Sequence, residues 1–192
     1  MLDLKGKIAF VAGAGSVGPG WGNGKATAVL LARQGAQVFA TDLKEAAANE
    51  TRALIEKEGG VCAVQQCNMT DAGEVRAAVD ACVKRFGRID ILVNNCGGSA
   101  AGDPVSMSEE VWDAQLDLNL KTAFMPAGCS NSSPFNVFVY STPVTRLPLG
   151  SFRTFVTQVL VRNSKFGFFM AIGITVMCGL PLAFASQPKR WQ

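Results

Sequence analysis

The hydrophobic residues of the first 124 positions alternate between short apolar runs and longer stretches with helical spacing. Four short runs have the unbroken apolar character of buried strands, at Lys7–Ala12, Gln37–Thr41, Val61–Gln66 and Ile89–Val93. Four longer stretches favour helices, at Lys25–Gln34, Leu43–Glu58, Asp71–Phe86 and Ser108–Phe124. Strict alternation of apolar strands with helices predicts an α/β fold, in which a parallel sheet is covered by helices on both faces.

This pattern ends near Met125, and the rest of the chain has a different composition. All 15 acidic residues lie between Asp3 and Asp117, and the 75 residues from Leu118 to Gln192 contain none. Residues 1–117 therefore carry a net charge of −4 and residues 118–192 a net charge of +7, whereas the whole chain carries only +3. A step of this size indicates a boundary, so we predict two unlike pieces, residues 1–124 and residues 125–192.

The second piece is expected to be an irregular apolar tail. Its Pro, Ser and Gly residues, from Pro126 to Gly150, are typical of a loop. Residues 166–188 form a run of 23 positions without a charge, which is long enough to span a bilayer as a transmembrane helix. Three interpretations stay open: sequence foreign to the ancestral protein, such as a retained intron or an aberrant splice; a membrane anchor; or an apolar segment that covers the sheet.

Composition excludes several kinds of chemistry. The chain has no histidine, which removes His bases and His ligands, and its six cysteines include no Cys-x-x-Cys pair, so we expect no metal site. The small net charge does not indicate a nucleic-acid partner. Asp3, Lys5 and Lys7 interrupt the first apolar residues, which disfavours a secretory signal. We expect a cytoplasmic protein with free thiols, or a membrane-associated one if residues 166–188 are an anchor.

A glycine-rich segment follows the first predicted strand. It runs from Gly13 to Gly24 and leads directly into the next predicted helix. Glycines let the backbone approach a pyrophosphate, and a helix N-terminus offers free N–H groups and a positive dipole. Asp42 ends the second strand, where a carboxylate accepts from a ribose 2′-hydroxyl and repels a 2′-phosphate; alternatively, it only caps the following helix. We predict a Rossmann-like, doubly wound domain that binds NAD rather than NADP.

Five segments, in this order, resemble the short-chain dehydrogenase/reductase family over residues 1 to about 124. The glycine segment is similar to the family's Thr-Gly-x-x-x-Gly-x-Gly, with Ala12 in place of Thr and five extra residues before Gly22-Asn-Gly24. The other four segments are Val38–Asp42, Asn68–Asp71, Asn94–Gly97 and Asp117–Leu120.

The resemblance implies a set of site residues. Those implied to contact the cofactor are Gly13, Ser16, Gly22, Asn23, Gly24, Asp42, Asn68, Met69, Asn95, Cys96 and Gly97. Asn119 matches the family's catalytic Asn, which bonds a backbone carbonyl and also holds a water in a proton relay, so the structural and the catalytic role do not exclude each other. Cys96 is expected to be a small buried filler rather than a nucleophile, because no base accompanies it. Trp21, in the inserted loop, either covers the cofactor or anchors the loop.

The family's Tyr-x-x-x-Lys motif is absent. In the family, the Tyr moves a proton to or from the substrate oxygen, the Lys lowers the pKa of that Tyr, a Ser orients the substrate, and nicotinamide carries the hydride. Tyr140 is the single tyrosine, Val144 stands four residues later, and no Lys occurs between Lys121 and Lys165. Ser141 follows a strand-like run and only superficially matches the family's Ser.

We therefore predict the cofactor-binding part of an NAD(P)-dependent short-chain oxidoreductase, whose lineage acts on a small alcohol or ketone. We expect it to be truncated after about four strands and catalytically impaired. A non-catalytic NAD-binding module and a membrane-anchored protein are the alternatives. The family commonly forms dimers or tetramers, which implies a homo-oligomer. A strand order of 3-2-1-4 would leave Ile89–Val93 as an exposed sheet edge.

Overall fold

The computed structural model describes residues 3–98, 100 and 105–129, and the backbone of short strands between residues 137 and 178. Strands and helices alternate in the first part: β1 (Ile8–Ala12), α1 (Asn23–Arg33), β2 (Gln37–Asp42), α2 (Glu45–Lys57), β3 (Cys62–Gln66), α3 (Ala72–Phe86) and β4 (Ile91–Asn94). A broken helix follows: α4 (Glu109–Leu116), a π-helical turn (Asp117–Lys121) and α5 (Thr122–Cys129). The remaining strands are β5 (Val137–Tyr140), β6 (Phe152–Val156), β7 (Val159–Leu160), β8 (Arg162–Asn163), β9 (Gly167–Phe168) and β10 (Ile174–Cys178).

The main sheet has the strand order β3-β2-β1-β4-β5-β7. The first four strands are parallel, with β1 between β2 and β4, and this confirms the predicted Rossmann-like α/β fold. β5 continues the parallel sheet, pairing Ile91 with Val137 and Asn94 with Tyr140. The prediction of an exposed edge at β4 is therefore wrong, because a strand from the tail supplies the backbone partners that this apolar strand requires. β7 then pairs antiparallel with β5.

The core lies on both faces of β1, as the fully buried pattern of that strand requires. Ile8, Phe10 and Ala12 belong to the cluster under α3, whereas Val11 belongs to the cluster under α1 and α2. Phe39 of β2 stacks on Phe10, with ring centroids 5.6 Å apart. The end of β1, from which the glycine segment departs, is therefore held rigidly from both sides.

Two helix starts, those of α3 and α4, are capped by local side chains. Asp71 is the N-cap of α3, and its side chain accepts from the Glu74 N–H. Ser108 caps α4 in the same way through the Val111 N–H. The expected single helix over residues 108–124 is instead interrupted by the π-helical turn.

Pro126 was expected to lie in a loop, but it lies inside α5, which crosses the predicted boundary between residues 124 and 125. A proline at this position removes one helical hydrogen bond, to the carbonyl of Thr122. Pro126 is buried, and burial of its apolar ring favours the folded state.

Beyond α5, the described parts of the tail are strands. β6 pairs with β10 and β8 with β9, each pair antiparallel. A continuous helix over residues 166–188 is therefore wrong, since β9 and β10 lie inside that run and Ile174–Cys178 is rich in β-branched residues. Among the residues that the structure describes, no helix is long and apolar enough to cross a membrane. Ser141, Val144 and the expected loop residues 130–136 and 143–150 lie outside the described residues.

Candidate functional site

The glycine segment turns sharply as it leaves β1. Gly13 has φ +73°, a conformation that favours glycine, and it donates its N–H to the Thr41 carbonyl at 2.8 Å. A Cβ on Gly13 would lie 3.0 Å from Cys96 Sγ and 3.1 Å from the Cys96 nitrogen. The segment is therefore packed directly on the residues that follow β4.

Gly24, at the start of α1, lies against the beginning of the same segment. A Cβ on Gly24 would lie 1.7 Å from the Gly13 carbonyl oxygen, so no other residue fits without moving the backbone. Asn95 closes this contact, because its Nδ2 donates to the Gly13 carbonyl at 2.9 Å. One structural unit is thus formed by Gly13, Gly24 and Asn95, although 82 positions of sequence separate Gly13 from Asn95.

The N-terminus of α1 carries no internal counter-charge. Its N-cap is Gly22, which offers no side chain, and its first turn has no acidic residue. Ser16 lies beside Gly22, with its Oγ 3.2 Å from the position of a Cβ there. The N–H groups at Asn23, Gly24 and Lys25 therefore meet the requirements of an anion site.

Asp42 joins the end of β2 to the glycine segment. Its Oδ2 accepts from the Gly15 N–H at 2.9 Å, and its Oδ1 accepts from the Lys44 N–H at 3.0 Å. The N-cap position of α2 is Lys44 and makes no side-chain cap bond, so Asp42 does not merely cap the following helix. Each Asp42 oxygen keeps a second lone pair, which can accept from a ribose hydroxyl.

The segment after β3 forms a compact turn. Asn68 Oδ1 accepts from both the N–H and the hydroxyl of Thr70, and the Asn68 N–H donates to Glu74 Oε2 at 2.7 Å. The Met69 side chain is only 4% exposed, and its sulfur lies 3.8 Å from the Thr41 hydroxyl. Met69 therefore supports the turn from below, and only its backbone is placed to line a surface site.

Cys96 is a protonated thiol at neutral pH. Burial, with a smaller contribution from the nearby Asp42 carboxylate, raises the pKa of the Cys96 thiol to about 12. A nucleophilic cysteine needs a lowered pKa, so this environment disfavours covalent chemistry at Cys96. Gly97 follows it in the partly buried connection that leads to Gly98.

Asn119 lies in the π-helical turn and holds the segment after β4. Its Oδ1 accepts from the Gly98 N–H at 3.0 Å, and its Nδ2 donates to the Gly98 and Gln115 carbonyls at 2.9 Å each. The structure therefore brings Asn119 to the same region as Asn95–Gly97. Its role in a proton relay stays a prediction.

Three residues absent from the predicted set also shape the site. Thr51 donates its hydroxyl to the Ala14 carbonyl at 2.8 Å. Lys25 donates its ammonium to the Gly20 carbonyl at 3.2 Å and to Glu50 Oε2 at 2.9 Å. The sequence offered one local signal for these three residues. Lys25 lies in the first turn of α1, where the helix dipole disfavours a cation.

Two further observations bear on the expected chemistry. Trp21 is 61% exposed, so it does not anchor the inserted loop by burial. In the described part of the chain, no group of three His, Cys, Asp or Glu side chains could hold a metal ion.

A strand, a glycine segment packed on a bare helix N-terminus, and a carboxylate at the end of β2 define a Rossmann-like α/β domain. The profile of the short chain dehydrogenase family matches residues 7–129. The chain belongs to that family.

Relatives with assigned names share this part of the chain. A 3-oxoacyl-(acyl-carrier-protein) reductase FabG of Thermotoga maritima is 39% identical over 125 residues, which are 64% of this chain and 48% of that protein. A D-threitol dehydrogenase of Mycolicibacterium smegmatis is 38% identical over 122 residues, 64% of this chain and 45% of that protein. The chain therefore spans about half the length of the curated relatives that it matches.

Solved structures agree with this match. A short-chain dehydrogenase/reductase structure from Burkholderia xenovorans is 45% identical and superposes with a TM-score of 0.65, covering 68% of this chain and 52% of that chain. A hydroxysteroid dehydrogenase from Escherichia coli is 32% identical with a TM-score of 0.61, covering 66% of this chain and 52% of that chain.

Proposed function

We propose that this chain binds a nicotinamide dinucleotide, NAD in preference to NADP, at the end of β1. The observation that carries the proposal is the uncapped N-terminus of α1 beside Gly13, with the Asp42 carboxylate at the neighbouring strand end. The α1 N–H groups would hold the pyrophosphate, and Asp42 would accept from the adenosine ribose. Asn68, Met69, Asn95, Cys96 and Gly97 would line the rest of the cofactor site.

The reaction of the lineage is proposed as hydride transfer between the cofactor and a small alcohol or ketone. Nicotinamide, when bound, supplies the hydride acceptor or donor. This chain lacks the Tyr-x-x-x-Lys pair that would move the proton, because Val144 stands four residues after Tyr140. We therefore propose binding with impaired turnover, and a non-catalytic NAD-binding module is the form of this function that the residues favour.

Calorimetric titration of the full chain with NAD and NADP tests this proposal. We expect NAD to bind more tightly, and Asp42→Asn to weaken NAD binding about tenfold and to reduce the preference over NADP, since the amide keeps the residue's size but loses the charge. Asp80→Asn is the matched control, because Asp80 is an exposed carboxylate on α3. A folded wild-type chain that ignores NAD, or an Asp42→Asn variant that binds NAD unchanged, would overturn the site assignment.

A further inference from the structure

Lys25 is a buried cation in an unfavourable position. It occupies the first turn of α1, where the helix dipole disfavours positive charge, and it is only 5% exposed. Burying an ammonium is costly unless it is paired and hydrogen-bonded. Here the cost is offset by two partners, Glu50 Oε2 at 2.9 Å and the Gly20 carbonyl at 3.2 Å.

The two partners of Lys25 belong to different parts of the fold. Gly20 lies in residues 16–21 of the glycine segment, which are Ser16 and the five inserted residues after it, whereas Glu50 lies on α2. The neighbouring residue Thr51 donates to the Ala14 carbonyl, at the other end of the glycine segment. Helix α2 therefore supports the segment at both ends, directly through Thr51 and indirectly through Glu50 and Lys25.

The inserted residues have few other supports. Val17 is 96% exposed, and a Cβ on Gly18 or Gly20 would meet nothing within 4 Å. Within the described part of the chain, the bond from Lys25 is the one hydrogen bond that residues 16–21 make. The position of the insertion relative to the α1 N-terminus therefore depends on the Lys25 ammonium.

We propose that Lys25 and Glu50 are positioning residues for the dinucleotide site, and that their contact holds residues 16–21 beside the pyrophosphate. This inference rests on the proposed function. Lys25 acts here through the Gly20 carbonyl rather than by touching the nucleotide. Glu50, which is 70% exposed, acts by orienting the Lys25 side chain.

A direct electrostatic role of Lys25 and a positioning role of the Lys25–Glu50 contact predict opposite effects of Glu50→Gln on the Kd for NAD. If Lys25 attracted the phosphates directly, removal of the Glu50 charge would make the site more positive and would tighten NAD binding. If the Lys25–Glu50 contact positions the loop, the same change loosens Lys25 and weakens NAD binding. The sign of the change in Kd therefore separates the two roles.

The experiment compares the full-length wild type with Lys25→Met, Glu50→Gln and Glu56→Gln. We expect Lys25→Met to raise the Kd for NAD about tenfold and Glu50→Gln to raise it about threefold, as loss of a charged hydrogen bond and of one charge in the pair implies. Glu56→Gln is the matched control on α2, since Glu56 faces Arg52 at 4.0 Å, and it should leave the Kd unchanged.

A second readout follows the loop without nucleotide. In a background with Trp112→Phe and Trp191→Phe, the fluorescence anisotropy of Trp21 reports on the motion of residues 16–21. We expect this anisotropy to fall in Lys25→Met and Glu50→Gln and to stay unchanged in Glu56→Gln. Should Lys25→Met not fold, as judged by circular dichroism, the exposed Glu50→Gln substitution carries the test alone.

The outcomes for the two proposals are distinguishable. A wild type that does not bind NAD overturns the proposed function, while the Trp21 anisotropy still reports whether Lys25 holds the loop. A wild type that binds NAD, with an unchanged Kd and anisotropy in Glu50→Gln, overturns the positioning role. Tighter NAD binding by Glu50→Gln also overturns it.

Discussion

Buried thiols are the main titratable groups of the core. Burial raises the pKa of Cys62, Cys82 and Cys96 to about 12, and that of Cys67 to about 11. These four cysteines are free. Because the native state keeps these protons when the unfolded chain loses them, alkaline pH favours unfolding.

Cys82 isolates this effect, since burial is the sole cause of its raised pKa. Its contribution to stability is fully present below the unfolded pKa of about 8.5 and is lost as pH rises toward about 12. Between pH 8 and pH 10, we expect the free energy of unfolding of Cys82→Ala to fall by about 2 kcal/mol less than that of the wild type. Urea unfolding at both pH values measures the difference, and equal losses would contradict the prediction.

Residues near in sequence were easier to predict than residues joined by the fold. Asp42 and the Gly13–Gly24 segment follow from a strand, a glycine run and a helix in succession. Lys25 and Thr51 bond groups contributed by other elements. The position of Lys25 in the first turn of α1 is a local signal, but it does not identify the partner. The burial of Met69 could not be predicted either, because it depends on packing beneath β2.

At the scale of elements, α3 begins with a side-chain cap whose residues can be recognised in the sequence. Asp71 Oδ1 accepts from the Glu74 N–H at 2.8 Å, while Glu74 reaches back to the Asn68 N–H. The cap therefore stabilises both the helix and the turn that holds Asn68.

Asp71→Ala should lower the free energy of unfolding by about 1 kcal/mol, because it leaves a helix N–H without a partner. Asp80→Ala is the control within the same helix: Asp80 is exposed and caps nothing. Chemical denaturation of the two variants gives the comparison. Equal stabilities for them would show that the Asp71 cap does not stabilise α3.

The broken helix after β4 shows where pattern alone fails. The apolar spacing over residues 108–124 indicates one helix, since no glycine or proline interrupts it. The π-helical turn at Asp117–Lys121 coincides with the bonds from Asn119 to Gly98, a contact between segments. Long-range hydrogen bonding thus accompanies a change in helix type that helix propensity does not encode.

At the scale of the whole molecule, an apolar stripe follows this broken helix. Large hydrophobic side chains lie exposed at every fourth position: Trp112, Leu116, Leu120 and Phe124. Four such side chains in a row favour burial against another surface. The family's tendency to form dimers and tetramers makes a second copy of this chain the expected partner.

We therefore expect the chain to self-associate through this stripe, and Leu116→Lys with Phe124→Lys to shift it toward the monomer, because burying two ammonium groups is unfavourable. Sedimentation velocity measures the change. Leu30→Lys is the matched control, as Leu30 is exposed alone on α1. If the double variant keeps the sedimentation coefficient of the wild type, the stripe is not the interface.

The overall topology was predictable through β4 and not beyond it. Four apolar strands separated by helices lead to the observed order β3-β2-β1-β4. β5 comes from residues outside the family-like part, so neither alternation nor resemblance placed it beside β4. The change in net charge near residue 118 marks a change in composition. It does not reveal which strands of the second piece join the sheet formed by the first piece.

The bond from Asp42 to Gly15 constrains how this protein can evolve. Any substitution that removes both side-chain oxygens of Asp42 leaves the Gly15 and Lys44 N–H groups without their acceptor in one step, and Asn keeps only one of the two oxygens. A lineage moving toward another nucleotide would first need a different support for the glycine segment, and only then a new residue at position 42. The order in which mutations are accepted is therefore set by a hydrogen bond inside the protein as much as by the ligand outside it.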